Sequence, residues 1–312
     1  MTQDLSNPGR RTLLKTAAAA GLLLATHRSR LAEAASNQML KRAIPGSGET
    51  IPVMGLGTYR TFNVGRQSPE REPLKEVLRL FVEHGGTLID SSPMYGASET
   101  TVGDLAAETG LIDRLFMATK VWTTGRDSGI RQMEDSMRKM RAQPMDLMQI
   151  HNLQDWRTHE KTLAQWKNEE RIRYDGITHY HSGAYADLER IMKARRFDFV
   201  QLNYSIVERE AEDRILRIAQ DAGTAVIVNR PFAQANLFAR VRGKQVPDWA
   251  ADFDCTSWAQ FFLKYIAAHP AVTCIIPATS SPKHIVDNMM AGVGRLPDAA
   301  TRRKMVAFMD SI

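Results

Sequence analysis

Eight short runs of strand-forming residues recur through this chain, near 53–58, 87–90, 115–121, 146–151, 173–178, 198–203, 224–229 and 273–278, with helix-length segments between them. That alternation leaves few folds open. A strand, a helix and a second strand make a parallel pair, because the helix carries the chain back to the end at which the next strand must start. Eight such units close the sheet on itself, so the pattern predicts an α/β fold, a (β/α)8 barrel of the TIM type. In the helical stretch 128–141, Ile130, Met133, Met137 and Met140 recur at spacings of three and four, an apolar stripe that would face the barrel. The methionines are read as packing, not as a ligand set. Ahead of the first run, residues 39–44 and 50–54 flank the turn sequence Pro45-Gly-Ser-Gly48, so an N-terminal hairpin is expected to close the bottom of the barrel.

Polar residues end several of these runs. Thr87-Leu-Ile-Asp90 ends in Asp90 and leads into Ser-Ser-Pro-Met-Tyr95-Gly; Leu115-Phe-Met-Ala-Thr-Lys120 ends in Lys120; Asp146-Leu-Met-Gln-Ile-His151 ends in His151. In a βα repeat the strand ends converge at one mouth, where such barrels carry their chemistry. A tyrosine with an ordinary pKa near ~10 is a weak acid at neutral pH, and a neighbouring ammonium lowers that value. Lys120 is placed to supply the charge, Asp90 to hold the lysine protonated, and His151 to donate a hydrogen bond to a carbonyl oxygen. Together these residue types suit carbonyl reduction.

The step Asp90-x4-Tyr95-Gly96, followed by Thr119-Lys120 and Ile150-His151, resembles the aldo/keto reductases, whose Asp, Tyr, Lys and His tetrad matches Asp90, Tyr95, Lys120 and His151 one for one. The resemblance runs from Gly55-Leu-Gly-Thr58 to Asn288. It implies a nicotinamide cofactor, with the segment through Thr58 and Tyr59 approaching it. It also implies that His151 favours carbonyl over double-bond reduction. Gln201 matches a glutamine that holds the carboxamide, and Thr178 and His179 stand where a Ser-Asn pair is common. Asn229 occupies the place of an aromatic residue that stacks on the nicotinamide ring, a departure that removes a stacking face. Arg230 beside it suits a phosphate.

Residues 276–288 read as a strand, a loop and a helix N-terminus, an anion site with free amides and hydroxyls. By resemblance Thr279, Ser280, Lys283 and His284 would hold an adenosine 2'-phosphate, and Asp287 and Asn288 would contact adenine. Ala278 and His284 stand where some members carry lysine and arginine, so NADP(H) is favoured and NAD(H) stays open. The resemblance admits a second reading, a slow or inactive nicotinamide-binding sensor on the same barrel, towards which the Asn229 departure points.

Residues 1–34 are set apart from this fold. Gly9-Arg-Arg-Thr-Leu-Leu-Lys15 matches the twin-arginine export pattern, an apolar run over 16–25 follows, and Ala32-Glu-Ala34 places small residues at a cleavage site. The run is too short to span a bilayer. The expectation is a signal peptide read by the twin-arginine machinery, a mature barrel over 35–312 in the periplasm or otherwise exported, and no stable membrane span after processing. The leader carries five basic residues against two acidic ones, so half of the formal +6 charge belongs to it. The modest remainder shows no basic run interleaved with aromatics, which argues against nucleic acid as a partner and leaves a small carbonyl or alcohol. No zinc-type Cys/His spacing occurs, so no metal is expected. The two cysteines, Cys255 and Cys274, are read as buried free thiols, and Phe232, Phe238, Trp249, Phe253, Trp122 and Tyr59 are candidates to line a substrate pocket.

Overall fold

The structure, a computed structural model, describes residues 38–312, so the expected leader lies outside the described residues. Strands β1 (Lys41–Ala43) and β2 (Thr50–Pro52) form the antiparallel hairpin. Eight parallel strands follow: β3 (Leu56–Gly57), β4 (Leu88–Asp90), β5 (Phe116–Val121), β6 (Met145–His151), β7 (Ile172–Thr178), β8 (Phe199–Asn203), β9 (Ala225–Asn229) and β10 (Val272–Ile275). Each pairs with the next in chain order, and isolated bridges from Met54 to Ile275 and from Gly57 to Ala278 bring the last strand back to the first. The expected barrel is there, each strand within a few residues of its predicted place.

Glycine at the seam has a local cause. A Cβ on Gly57 would lie 2.7 Å from the Ile276 carbonyl oxygen, and one on Gly55 2.9 Å from that of Leu88. These glycines let neighbouring strands approach, which is a different use of close contact from the cofactor approach expected for them.

The helices α1 (Arg71–Glu83), α2 (Ser98–Glu108), α3 (Arg126–Met140), α4 (Trp156–Asn168), α5 (Tyr185–Ala194), α6 (Ile215–Ala222), α8 (Trp258–Ala267) and α9 (Pro282–Met290) surround the barrel, with the short α7 (Asn236–Arg240) in the loop after β9 and α10 (Ala299–Asp310) closing the chain. In α3, Met133, Met137 and Met140 are buried, while Ile130 is only partly covered. Arg141 ends the helix in the left-handed conformation, and its amide and that of Ala142 close the last turn on Arg138 and Met137. No described helix is long and apolar enough to cross a membrane.

The barrel interior changes character along its axis. At the bottom, Ile44 and Ile51 of the hairpin pack with Leu88, Phe116, Leu147, Tyr174, Phe199 and Ile227 in one apolar cluster. Each such side chain contributes about 2 kcal/mol by leaving water. The period of two that points Leu147 inward also points Gln149 and His151 inward, and on β5 the same alternation runs Phe116, Ala118, Lys120. The upper layer is therefore polar and buried, and it must be satisfied by its own members. Cys274 lies in the lower cluster and Cys255 is buried before α8, both as free thiols.

Candidate active site

Asp90 ends β4 and Lys120 sits one residue before the end of β5, so parallel pairing brings the two side chains together from adjacent strands. Lys120 Nζ donates to Asp90 Oδ2 at 2.5 Å and to the Ser91 carbonyl at 2.6 Å, and the lysine is fully buried. The other carboxylate oxygen, Oδ1, accepts the side-chain amides of Gln149 at 3.0 Å and Gln201 at 2.9 Å. Burial acts to lower the lysine pKa, but the Asp90 charge and the Tyr95 phenol raise it further, and the net shift is upward. Lys120 is a fixed buried cation.

Tyr95 lies in the turn after β4, where its backbone amide donates to the Ser92 carbonyl. Lys120 Nζ is 5.2 Å from the centre of its ring, and the His151 ring stands nearly perpendicular to it with centroids 5.9 Å apart. Burial pushes the Tyr95 phenol up, and Lys120 pulls it down by less. The lowering expected from the sequence exists as one contribution, but desolvation exceeds it.

His151, buried at the end of β6, is held neutral: loss of water, then the Lys120 charge, pushes its pKa down to about 2. Its Nδ1 is 2.9 Å from Ser92 Oγ, and Nε2 has no hydrogen-bond partner among the described residues. A phenol, a neutral imidazole and a buried ammonium therefore share one corner. That corner can give a proton and a second hydrogen bond to an oxygen between Tyr95 and His151.

The residues assigned to cofactor contact fall into three groups. Thr58 is buried, donates to the Asp90 carbonyl at 2.9 Å and lies 3.0 Å from Ser91 Oγ, whose hydroxyl it can accept, so it fixes the turn that carries Tyr95. Tyr59 beside it is exposed, its ring 5.0 Å from that of Tyr95. Thr178, His179, Gln201 and Asn229 form a second, connected group. Gln201 spends its amide nitrogen on Asp90 and on Gln149 Oε1, and its oxygen accepts from Thr178 Oγ1 at 3.2 Å and Asn229 Nδ2 at 3.3 Å. Asn229 also donates to the His179 carbonyl at 3.0 Å, and its own Oδ1 is buried without a partner. Arg230 donates to the Tyr180 carbonyl at 2.9 Å, while its Nε is buried and unpartnered.

The third group follows β10. Ser280, Lys283 and His284 are exposed around the start of α9, and Thr279 Oγ1 accepts the Ser281 amide at 3.1 Å. Asn288 is buried, and Asp287 Oδ1 accepts Gln260 Nε2 at 2.7 Å, so that carboxylate is already engaged.

The aromatic candidates divide. Trp122, partly exposed, stands 6.4 Å from the His151 ring at the same mouth as Tyr59. Phe232 and Phe238 pack on each other and on Phe262. Trp249 and Phe253 pack on Phe261 of α8, and Trp249 also meets Phe308 of α10, so these two belong to the helical layer and not to a pocket lining.

Gln149 and Ser92 were not singled out from the sequence. Gln149 carried a signal: it is a polar residue at the inward register of a barrel strand, two positions before His151.

The sequence model of the aldo/keto reductase family matches residues 53–303, a span that holds Asp90, Tyr95, Lys120 and His151 and the residues assigned to cofactor contact. The chain belongs to the aldo/keto reductase family. Methylglyoxal reductase YeaE of Escherichia coli (strain K12) is 28% identical to it over 258 residues, 80% of this chain and 89% of that one. Aldo-keto reductase YhdN of Bacillus subtilis (strain 168) is 25% identical over 194 residues, 57% of this chain and 58% of that one. Among solved structures, an aldo/keto reductase from Klebsiella pneumoniae in complex with NADP and acetate superimposes with a TM-score of 0.72 at 24% identity, covering 88% of this chain and 95% of that one. This member of the family places Asp90, Tyr95, Lys120 and His151 at the polar end of its barrel.

Proposed function

We propose that the protein is an NADP(H)-dependent oxidoreductase that interconverts a carbonyl compound and its alcohol. The observation that carries this reading is the buried Asp90–Lys120 pair set beside a phenol and a neutral imidazole, a proton-donating corner. The residues present fit a nicotinamide dinucleotide phosphate. Asn229 Oδ1 and Arg230 Nε are buried polar atoms that lack partners, and Lys283 pairs with no carboxylate among the described residues. Asn229 Oδ1 suits an amide hydrogen, while Arg230 and the open start of α9 with Lys283 suit phosphate oxygens. The NADP-bound Klebsiella pneumoniae structure shares this fold.

A bound reduced nicotinamide supplies the hydride. The chain's own part is to hold the substrate oxygen and to manage the proton. His151, being neutral, donates one hydrogen bond to that oxygen, and Tyr95 gives it the phenolic proton as charge builds there. Lys120 stabilises the phenolate left behind, and Asp90 with its two glutamine donors keeps the ammonium in place. Loss of NADPH absorbance with a panel of small aldehydes and ketones tests the assignment; methylglyoxal belongs in the panel because the relative YeaE is named for reducing it. Turnover of at least one supports it, and binding without turnover of any would favour a sensor.

The export reading is a separate proposal, supported by the order of Arg10-Arg11, the apolar run and Ala32-Glu-Ala34. Cell fractionation tests it: a shortened protein outside the cytoplasm is expected, and it is lost when Arg10 and Arg11 are both changed to lysine.

A further inference from the structure

Ser92 is fully buried in the turn between β4 and α2, two residues beyond Asp90. Its Oγ lies 2.9 Å from His151 Nδ1 and accepts the Met94 backbone amide at 3.3 Å. Among the described residues the hydroxyl has no other acceptor for its own proton. Two assignments of the shared hydrogen are open. With the proton on Nδ1, Ser92 Oγ receives two donors and its O–H is stranded without an acceptor in a dry interior, which is unfavourable. With the proton on Oγ, the hydroxyl donates to the Nδ1 lone pair, the Met94 amide is accepted, and nothing is left over.

We propose that Ser92 is the positioning residue that fixes His151 as its Nε2–H tautomer, so that the ring presents a donor, not a lone pair, at the barrel mouth. The consequence concerns the ligand. A carbonyl or alkoxide oxygen brings only lone pairs, and a bare Nε2 would repel it; Nε2–H donates a hydrogen bond to it. The ring also stays neutral beside Lys120, so only one of its nitrogens carries hydrogen. The effect on catalysis rests on the oxidoreductase reading, whereas the tautomer does not.

The test is nitrogen NMR on protein labelled in its histidine rings, with Ser92→Ala and Ser92→Thr beside the unaltered chain. The unaltered protein is expected to show His151 with protonated Nε2 and bare Nδ1, unchanged between about pH 5 and 8. Ser92→Ala is expected to mix the tautomers and to lower kcat on the order of tenfold or more, with KM for NADPH unchanged. Ser92→Thr, which keeps the hydroxyl, restores both. A protonated Nδ1 in the unaltered protein overturns the proposal whether or not the protein turns over. So does an unmixed Nε2–H signal in Ser92→Ala. Failure of the oxidoreductase reading alone would appear as absent turnover with the expected tautomer.

Discussion

Gln149 donates its side-chain amide to Asp90 Oδ1 at 3.0 Å, on the opposite oxygen of the carboxylate from the one Lys120 holds. Asp90 is thus held from both sides, by a cation from β5 and by amides from β6 and β8. Gln149→Leu keeps the volume roughly constant and removes one donor from a buried carboxylate. The expected loss is about 1–3 kcal/mol of stability and a lower kcat, read by urea unfolding and by turnover. An unchanged unfolding midpoint would mean that Gln201 alone satisfies Oδ1.

Lys120→Met removes the cation and leaves Asp90 buried with only neutral donors. Breaking one partner of a buried pair costs about 3–5 kcal/mol. Adding Asp90→Asn to the same chain should recover much of that loss, because the uncompensated charge disappears. Denaturant midpoints of the single and double variants check this, and turnover should stay absent in both.

The barrel itself was legible because strand length and helix length alternate eight times, and because a period of two inside each strand sets which residues face inward. The meeting of Asp90, Tyr95, Lys120 and His151 was legible because each stands at, just before or just after the end of a strand. The hydrogen-bond partners were not. Gln149 and Gln201 meet Asp90 only because β4, β6 and β8 curve around one axis, and sequence spacing carries no record of distances across a barrel. The sign of the Tyr95 shift was missed for a related reason: the Lys120 charge could be read from composition at the strand ends, whereas the dry surroundings that raise the phenol could not. Trp249 and Phe253 looked like pocket residues because their loop follows β9, but contacts with α8 and α10 draw them to the outer layer.

The directions of the shifts set a pH dependence. Burial raises the Tyr95 phenol above its ordinary value near ~10, so it is protonated through the neutral range. Carbonyl reduction, which needs that proton, should be level from neutral pH downwards until substrate or cofactor binding fails. Alcohol oxidation needs the phenolate and should rise with pH. Initial rates in both directions check this, and an inflection near neutrality in the reduction rate would contradict a protonated, raised phenol.

His151 links acid to stability. Its folded-state pKa of about 2 lies below its unfolded value near 6.5, so between them the unfolded chain binds the extra proton. Stability is therefore undiminished by this group above about pH 6.5 and falls as pH drops, by up to about 1.4 kcal/mol per unit. His151→Gln should flatten that dependence in a urea midpoint series run from neutral to mildly acid pH.

The most direct measurement is Tyr95→Phe, with NADPH affinity and turnover measured on the same preparation. The substitution removes one hydroxyl and keeps the ring that meets Tyr59 and His151. The account predicts NADPH binding within about twofold of the unaltered protein and a fall in kcat of about 10²-fold or more. Turnover that survives the loss of this hydroxyl would contradict the assignment of Tyr95 as the proton donor.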